Sequence, residues 1–227
     1  MRAMSGGAVI REAFVAPEYC TDQECLALLE RLREQSVPVW DLGREAFAKL
    51  AYGDRVDGVV AVAETPTRRL QDLMLPPQPL IAVVEGVEKP GNLGAIMRTA
   101  DGAGVNAVIL AEPATDLFNP NIIRASLGTV FAVPVCVASS GEVLTWLSDK
   151  GIAIIAARLD GSVDYSETDY GGAIAIALGS EARGLSDAWG ALARASVRVP
   201  MLGVADSLNV SATAAVLFYE ALRQRRG

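Results

Sequence analysis

Continuous apolar runs recur at regular intervals along residues 81–201 of this 227-residue chain. Apolar and polar residues do not alternate within the runs, which predicts strands that are buried on both faces. Helical patterns lie between most of them, so we predict an α/β fold in which helices cover a parallel sheet. The predicted strands are Ile81–Val84, Ala107–Leu110, Ala132–Val137, Ile152–Ala157, Ala173–Leu178 and Val197–Met201.

The last predicted helix runs from about Val210 to Arg225 and is the most apolar helix of the chain. Apolar residues follow one another almost without a break from Ala212 to Tyr219. A helix that is apolar on most sides must be buried on most sides, either within one chain or against a partner helix. The residues at core spacing are Val210, Ala214, Leu217, Phe218 and Leu222.

Residues 65–79, TPTRRLQDLMLPPQP, predict a domain boundary, because three prolines follow a polar and basic stretch. Upstream, strand and helix patterns alternate as in a small α/β domain. The predicted strands there are Ile10–Val15, Val37–Leu42 and Gly58–Ala63, and the predicted helices are Gln23–Glu34 and Arg44–Ala51. We therefore divide the chain into a first domain of residues 1–70, a linker of residues 71–79 and a second domain of residues 80–227.

The composition excludes several kinds of site. With no histidine and three cysteines, Ser-His and Cys-His catalysis is excluded and zinc ligands are scarce. The odd, sparse cysteine set is typical of a reducing compartment. No apolar run approaches the roughly 20 residues of a membrane span, and the N-terminus lacks a signal-peptide pattern, so we expect a cytoplasmic protein. The net charge of −7 argues against a nonspecific nucleic-acid coat but leaves room for a local basic patch.

A first candidate site lies in residues 85–104, directly after a predicted strand, where parallel sheets bind ligands. Its GVEKPGNL stretch has the glycines of a phosphate loop, but Asn92 and Leu93 replace the Lys and Ser or Thr. In the following helix Arg98 lies off the predicted buried stripe. An outward arginine near a helix start is suited to clamp a phosphate or carboxylate. Alternatively, Arg98 is a solvated surface residue and Asn92 caps the helix.

Two further junctions combine glycines or polar residues with the end of a predicted strand. Residues 176–187 carry Gly179, where the chain can approach a ligand closely. Residues 199–222 carry Ser207, Asn209 and Ser211 ahead of the last helix. Ordinary turn formation and helix capping explain these residues equally well one at a time. Together with the first junction, they favour a ligand site at one edge of the sheet.

Three stretches of the chain, in order, resemble the motifs of the SpoU/TrmH family of RNA ribose 2′-O-methyltransferases of the SPOUT superfamily. They are Asn92–Thr99, Gly179–Glu181 and Ser207–Ser211. Residues 124–135, RASLGTVFAVPV, are similar to the segment that follows the first motif. The resemblance covers about residues 80–225. The first domain resembles the ribosomal-protein-like RNA-binding domain found in the thiostrepton-resistance-type enzymes.

The resemblance implies a SPOUT domain with a deep trefoil knot near the C-terminus, which binds S-adenosylmethionine and needs no metal. The residues that it implies for cofactor binding are Leu178, Gly179, Val199, Met201, Leu202 and Leu208. Those that it implies for catalysis are Asn92, Arg98, Glu181, Ser207 and Asn209. Arg98 would either take the proton of the ribose hydroxyl or clamp the neighbouring phosphate and stabilise the developing negative charge. A guanidinium rarely loses its proton, which favours the clamp.

The resemblance also implies partners. They are RNA, with 23S ribosomal RNA favoured over transfer RNA, and a second copy of the chain, joined through the C-terminal domain and sharing an arginine. The first domain would bind RNA through its shape and a few arginines such as Arg55, Arg68 and Arg69. Two other functions compete with this interpretation: a noncatalytic RNA-binding or ribosome-assembly factor on the same fold, which the acidic charge favours, and a nucleotide-binding domain.

Overall fold

The computed structural model describes residues 1–52 and 58–226. The chain divides into two compact units, Met1–Pro66 and Thr67–Gly227. In the first unit, β1 pairs in parallel with β2 and antiparallel with β3, giving the order β2-β1-β3. Its strands are β1 (Ile10–Val15), β2 (Val39–Asp41) and β3 (Val59–Ala63), and its helices are α1 (Arg2–Ser5), α2 (Gln23–Glu34) and α3 (Arg44–Leu50). Each strand and helix predicted for this region is present, and β2 is shorter than predicted.

The core of the first unit forms where α2 packs on one face of its sheet. Leu29 and Leu32 of α2 contact the side of β1 that carries Ala13 and Val15. Cys20 and Cys25, at the start of α2, form a disulfide that the odd and sparse cysteine set did not predict. Their Cα atoms lie 5.4 Å apart, within the usual range for a disulfide.

The second unit contains a seven-stranded sheet in the order β6-β5-β4-β9-β7-β10-β8, and its strand pairs are parallel. The strands are β4 (Leu80–Glu85), β5 (Ala107–Ala111), β6 (Val135–Ala138), β7 (Ala153–Ala157), β8 (Val163–Asp164), β9 (Ile174–Leu178) and β10 (Ala195–Arg198). The parallel sheet predicted from the apolar runs is therefore confirmed. The two-residue strand β8 was not predicted.

Helices cover both faces of this sheet. They are α4 (Pro90–Ala103), α5 (Pro120–Ala125), α6 (Ser140–Asp149), α7 (Asp187–Leu192) and α8 (Val210–Arg226). Alternate residues of β4 face two separate cores, one shared with α4, α5 and α8 and the other with α6 and α7. Leu70, the first residue of a 3-10 turn, and Leu73, which follows that turn, are buried in the second of these cores. Leu70, the last residue of the predicted first domain, and Leu73, in the predicted linker, thus pack in the second unit, which begins at Thr67.

Prolines explain the largest errors in the predicted boundaries of the second unit. β6 begins only after Pro134, and β10 ends before Pro200, so the predicted strands were too long at those ends. Helix α4 begins at Pro90 rather than at Asn92, because proline is well suited to the first helical position. In α8 the last buried residue is Ala221, while Leu222, predicted to face the core, is only half-buried.

The order of the strands places a switch point beside β4. The chain adds β5 and β6 on one side of β4, and β9, β7 and β10 then lie on the other side. In register, Leu178 at the end of β9 lies beside Val84 of β4, and Ala157 at the end of β7 lies beside Val197 of β10. Ligands bind outside the carboxyl ends of strands at such a point. Within the described residues, no helix is long and apolar enough to span a bilayer.

Candidate active site

A cavity of about 530 Å³ opens at the carboxyl ends of β7, β9 and β10. This volume lies within the range of sites that bind small molecules and cofactors. The predicted site residues that line it are Leu178, Gly179, Glu181, Val199, Ser207, Leu208 and Asn209. The loop before α8 and the turn after β9 therefore both line one cavity.

Gly179 is glycine because the chain folds back onto it. A Cβ atom at this position would overlap the backbone of Gly184 and Leu185. A backbone bridge between Ser180 and Gly184, with a 2.8 Å hydrogen bond from Gly184 N to Ser180 O, closes the turn. We define residues 179–185 as the cavity turn. A larger residue at 179 would displace the cavity turn itself, in addition to filling space in the cavity.

Side chains from the three motifs meet in a cluster next to this cavity. The Asn92 amide of α4 donates a hydrogen bond to the Glu181 carboxylate, and its oxygen accepts one from Asn209 Nδ2 at 3.2 Å. Asn209 Oδ1 also accepts from the backbone N of Ser211 at 2.9 Å, so Asn209 caps α8 as well. Asn209 therefore has both of the roles considered for it: it caps α8 and it joins the contact between the motifs. We call Asn92, Glu181 and Asn209 the polar cluster.

Arg98 does not belong to the polar cluster, to which no hydrogen bond joins it in the described chain. Its side chain is exposed on α4. Gly102 lies four residues further on and therefore on the same helix face. A Cβ atom at Gly102 would lie 3.0 Å from the hydroxyl of Tyr219, a residue of α8 that is itself half exposed. Arg98 thus points to the surface where α4 and α8 adjoin.

Met201 and Leu202 are not among the residues that line the cavity. They belong to a stretch without regular structure, residues 199–209, that links β10 to α8. Met201 is half-buried, whereas Leu202 and Val204 are fully exposed. The implied cofactor set therefore divides into four cavity residues, led by Gly179, and two residues outside the cavity.

Two cavity residues that the sequence analysis missed form an ion pair. Arg158, which follows β7, donates to both oxygens of Asp160 at 2.8 and 3.0 Å and to Asp187 of α7 at 3.3 Å. The hydrogen bonds that Arg158 donates to Asp160 raise the pKa of Arg158, partly opposed by burial, and the same bonds lower the pKa of Asp160. Both groups are charged at neutral pH. Their only signal in the sequence was their position after an apolar run.

Glu85, the last residue of β4, was also missed. Its carboxylate is buried and accepts hydrogen bonds from Ser140, Ser186 and Trp189. Of the arginines expected to bind RNA, Arg55 lies outside the described residues. Arg68 and Arg69 are exposed at the start of the second unit, and Arg69 is paired with Asp72 at 3.0 Å. Among the described residues, no group of three or more Cys, Asp or Glu side chains is placed to hold a metal ion.

A family model described as the SpoU rRNA methylase family matches residues 79–219, which include the cavity and the polar cluster. The chain therefore belongs to the SpoU rRNA methylase family.

Individual relatives agree with this assignment. A 23S rRNA (uridine(2479)-2′-O)-methyltransferase of Streptomyces viridochromogenes is 36% identical over 173 residues, covering 74% of this chain and 60% of the relative. A crystal structure of an RNA 2′-O ribose methyltransferase is 39% identical, with a TM-score of 0.85 over 100% of this chain and 85% of the other. The SpoU methyltransferase AviRb from Streptomyces viridochromogenes, in complex with the cofactor AdoMet, is 29% identical, with a TM-score of 0.88 over 99% and 87% of the two chains.

Proposed function

We propose that this protein transfers a methyl group from S-adenosylmethionine to a ribose 2′-hydroxyl of RNA, in 23S ribosomal RNA. The observation that carries the proposal is the polar cluster, in which Asn92, Glu181 and Asn209 from three distant motifs join beside a cavity of cofactor size. The relatives that match over most of the chain include RNA 2′-O-methyltransferases, and one is named for 23S rRNA.

The chemistry of the cavity fits S-adenosylmethionine. Leu178, Val199 and Leu208 offer an apolar surface for the adenine ring, while the cavity turn offers backbone groups. The carboxylate of Glu181 at the rim complements a positively charged sulfonium or ammonium group. Bound there, S-adenosylmethionine would supply an activated methyl group.

The residues of the polar cluster would fix the geometry of the reaction. Methyl transfer is an in-line displacement, so the ribose oxygen must be held in line with the methyl carbon. Asn92 is held from two sides, by Glu181 and by Asn209, and would present a fixed side chain to the RNA. Ser207 lines the same cavity and would orient RNA or the cofactor's amino-acid part.

Arg98 of one copy of the chain would act on RNA bound at the cavity of a second copy. It is exposed beside half-exposed Tyr219, and α8 also leaves Ala212 exposed on its outer side. A homodimer that covers this face of α4 and α8 would carry Arg98 to the partner's cavity, where it clamps a phosphate and stabilises negative charge on the ribose oxygen. The half-buried residues on the outer side of α8 support such an interface.

The finer architecture forms part of the proposal. Residues 1–70 would bind RNA, residues 71–79 would link the domains, and residues 80–227 would form the methyltransferase domain. We also propose that the stretch from β10 to α8 is threaded as a trefoil knot. The position of β9 between β4 and β7, and the packing of α8 against α4 after the chain has reached β10, support this proposal. We further propose that the protein acts in the cytoplasm and needs no metal ion.

Calorimetry with S-adenosylmethionine, with and without EDTA, tests cofactor binding. We expect binding that EDTA does not change, and no binding would overturn the proposal. Methylation of 23S ribosomal RNA and of transfer RNA, with the modified ribose mapped, then tests the substrate. Methylation of transfer RNA alone would replace the substrate, and cofactor binding without methylation of either RNA would favour a noncatalytic RNA-binding factor.

A pair of capping variants tests the role of the polar cluster. Asn209→Ala removes a helix cap together with the bond to Asn92, whereas Ser139→Ala removes only the cap of α6. Each should cost about 1 kcal/mol of stability. Only Asn209→Ala should lose methylation, and equal activity losses in the two variants would count against the cluster.

A further inference from the structure

The buried carboxylate of Glu85 lies at the end of β4, between the two motifs that follow β4 and β9. Glu85 is 9% exposed. Its Oε1 accepts hydrogen bonds from Ser140 Oγ at 2.7 Å, Trp189 Nε1 at 2.8 Å and Ser186 Oγ at 2.9 Å. Its Oε2 accepts from the backbone N of Ser186 at 2.7 Å. Ser186 thus holds both oxygens of the carboxylate.

These bonds suit an ionised carboxylate, which only accepts hydrogen bonds. Burial by itself would raise the pKa of Glu85, but the bonds from Ser186, Ser140 and Trp189 outweigh it and leave the pKa below its ordinary value. A buried charge is a poor means of stabilising a fold, because well-packed apolar residues often do as well or better. The arrangement therefore calls for a role beyond general stability.

The position of Ser186 indicates that role. It follows the cavity turn directly and is the N-cap residue of α7. At the other end of the turn, Ser180 lies next to Gly86, since a Cβ atom at Gly86 would lie 3.8 Å from Ser180 Cβ. The end of β4 thus lies beside the start of the cavity turn and is hydrogen-bonded to Ser186, which follows the end of the turn.

We propose that Glu85 is a positioning residue, which fixes the cavity turn in the conformation that binds S-adenosylmethionine. The proposal rests on the function proposed above and deepens it. Glu85 does not line the cavity, so its effect passes through Ser186 to residues 179–185. The loss of this contact should weaken cofactor binding while the chemical groups at Asn92 and Arg98 remain intact.

Glu85→Gln is the main test, because it keeps the shape of the side chain. An amide has one oxygen, which is uncharged and is a weaker acceptor for the donors at Oε1, and the NH₂ group then faces the N–H of Ser186, from which it cannot accept a bond. We expect the Kd and KM for S-adenosylmethionine to rise about tenfold, with a smaller fall in kcat, because Asn92 loses part of its support from Glu181 in the cavity turn but keeps its bond to Asn209. Hydrogen exchange should speed up at the amides of residues 180–187.

Ser140→Ala is the matched control. It removes one hydrogen bond to the same carboxylate, but from α6, which does not line the cavity. Its Kd for the cofactor should stay within about twofold of the wild-type value, because the two bonds to Ser186 remain. Ser186→Ala, which keeps the backbone bond to Oε2, should lie between the two and serves if Glu85→Gln does not fold.

Three results separate the possible failures. Unchanged cofactor affinity and unchanged exchange at residues 180–187 in Glu85→Gln would overturn the positioning role. Equal losses of affinity in Glu85→Gln and Ser140→Ala, in proportion to melting temperature, would reduce Glu85 to a general stabiliser and overturn it too. A wild-type protein that binds no S-adenosylmethionine would refute the proposed function. In that case, faster hydrogen exchange confined to the backbone amides of the cavity turn in Glu85→Gln would still show that Glu85 fixes this turn.

Discussion

Two glycines of α4 allow a measurement of how closely α4 and α5 must approach. A Cβ atom at Gly94 would lie 2.5 Å from the Cβ of Ala125 and 2.9 Å from the backbone N of Ser126. A Cβ atom at Gly91, three residues earlier, would meet nothing within 4 Å. Neither glycine has a positive φ. Gly94→Ala and Gly91→Ala therefore differ in steric contact and little in backbone strain.

The magnitudes follow from these distances. Each substitution should gain about 0.4–1 kcal/mol by restricting the unfolded chain. For Gly94→Ala the carbon atoms would have to separate by roughly 1 Å to reach ordinary contact. Overpacking of this kind costs about 1–3 kcal/mol. We expect a difference of about 2 kcal/mol between the variants, which corresponds to about 4–8 °C in melting temperature for a chain of this size.

Differential scanning calorimetry of both variants provides the assay. Gly91→Ala should melt at or slightly above the wild-type temperature, and Gly94→Ala should melt below it. Because Asn92 lies between the two glycines, a shift of α4 should also lower methylation in Gly94→Ala. If the two variants melt at the same temperature, the close approach at Gly94 does not constrain the fold and the reasoning fails.

Three further outcomes are expected. Mixing Arg98→Ala with the cavity-filling variant Leu208→Trp, each inactive alone, should restore methylation if Arg98 acts across a dimer; confirmed mixed dimers without activity would place Arg98 in its own chain's site. Arg225 donates hydrogen bonds to four backbone carbonyls, so Arg225→Met should lower the free energy of unfolding by about 1.5–3 kcal/mol and leave cofactor affinity unchanged. Urea denaturation measures the free energy of unfolding, and an unchanged value would show that these four bonds do not stabilise the fold. The hydrogen bond from Arg223 lowers the pKa of Glu220 to about 2, against the smaller effect of burial. The stabilisation of the fold by ionised Glu220 should therefore be complete above about pH 4.5 and fade as the pH falls towards 2. A Glu220→Gln variant whose stability has the same pH dependence as the wild type in that interval would refute this prediction.

The sequence predicted what local patterns encode. Buried parallel strands carry continuous apolar runs, so the runs identified β4, β5, β6, β7, β9 and β10. Pro134 and Pro200 carried the signals that would have corrected two boundaries. The disulfide between Cys20 and Cys25 depends on the turn before α2, which a count of cysteines does not describe.

The candidate site was predictable only in part. The sequence showed that each motif follows a predicted strand. The contact of Asn92 with Glu181 and Asn209, however, depends on β9 lying between β4 and β7. No local pattern encodes that order, and the residues in question are 89 and 117 positions apart. Glu85 and Arg158 were missed because a single charge after a strand looks like a surface residue until α7 has packed against it.

The bond between Asn92 and Asn209 has a consequence for the synthesis of the protein. A ribosome makes the chain from the N-terminus, and domains begin to fold as they emerge. The second partner of Asn92, Asn209, arrives 117 residues after Asn92 itself, and α8, which packs on α4, follows only then. Most of the sheet is complete by that time, yet the cavity lacks one wall. The nascent protein therefore stays without a finished site until its last helix docks, and a chain truncated before residue 207 would keep all seven strands of the second unit but lack the polar cluster.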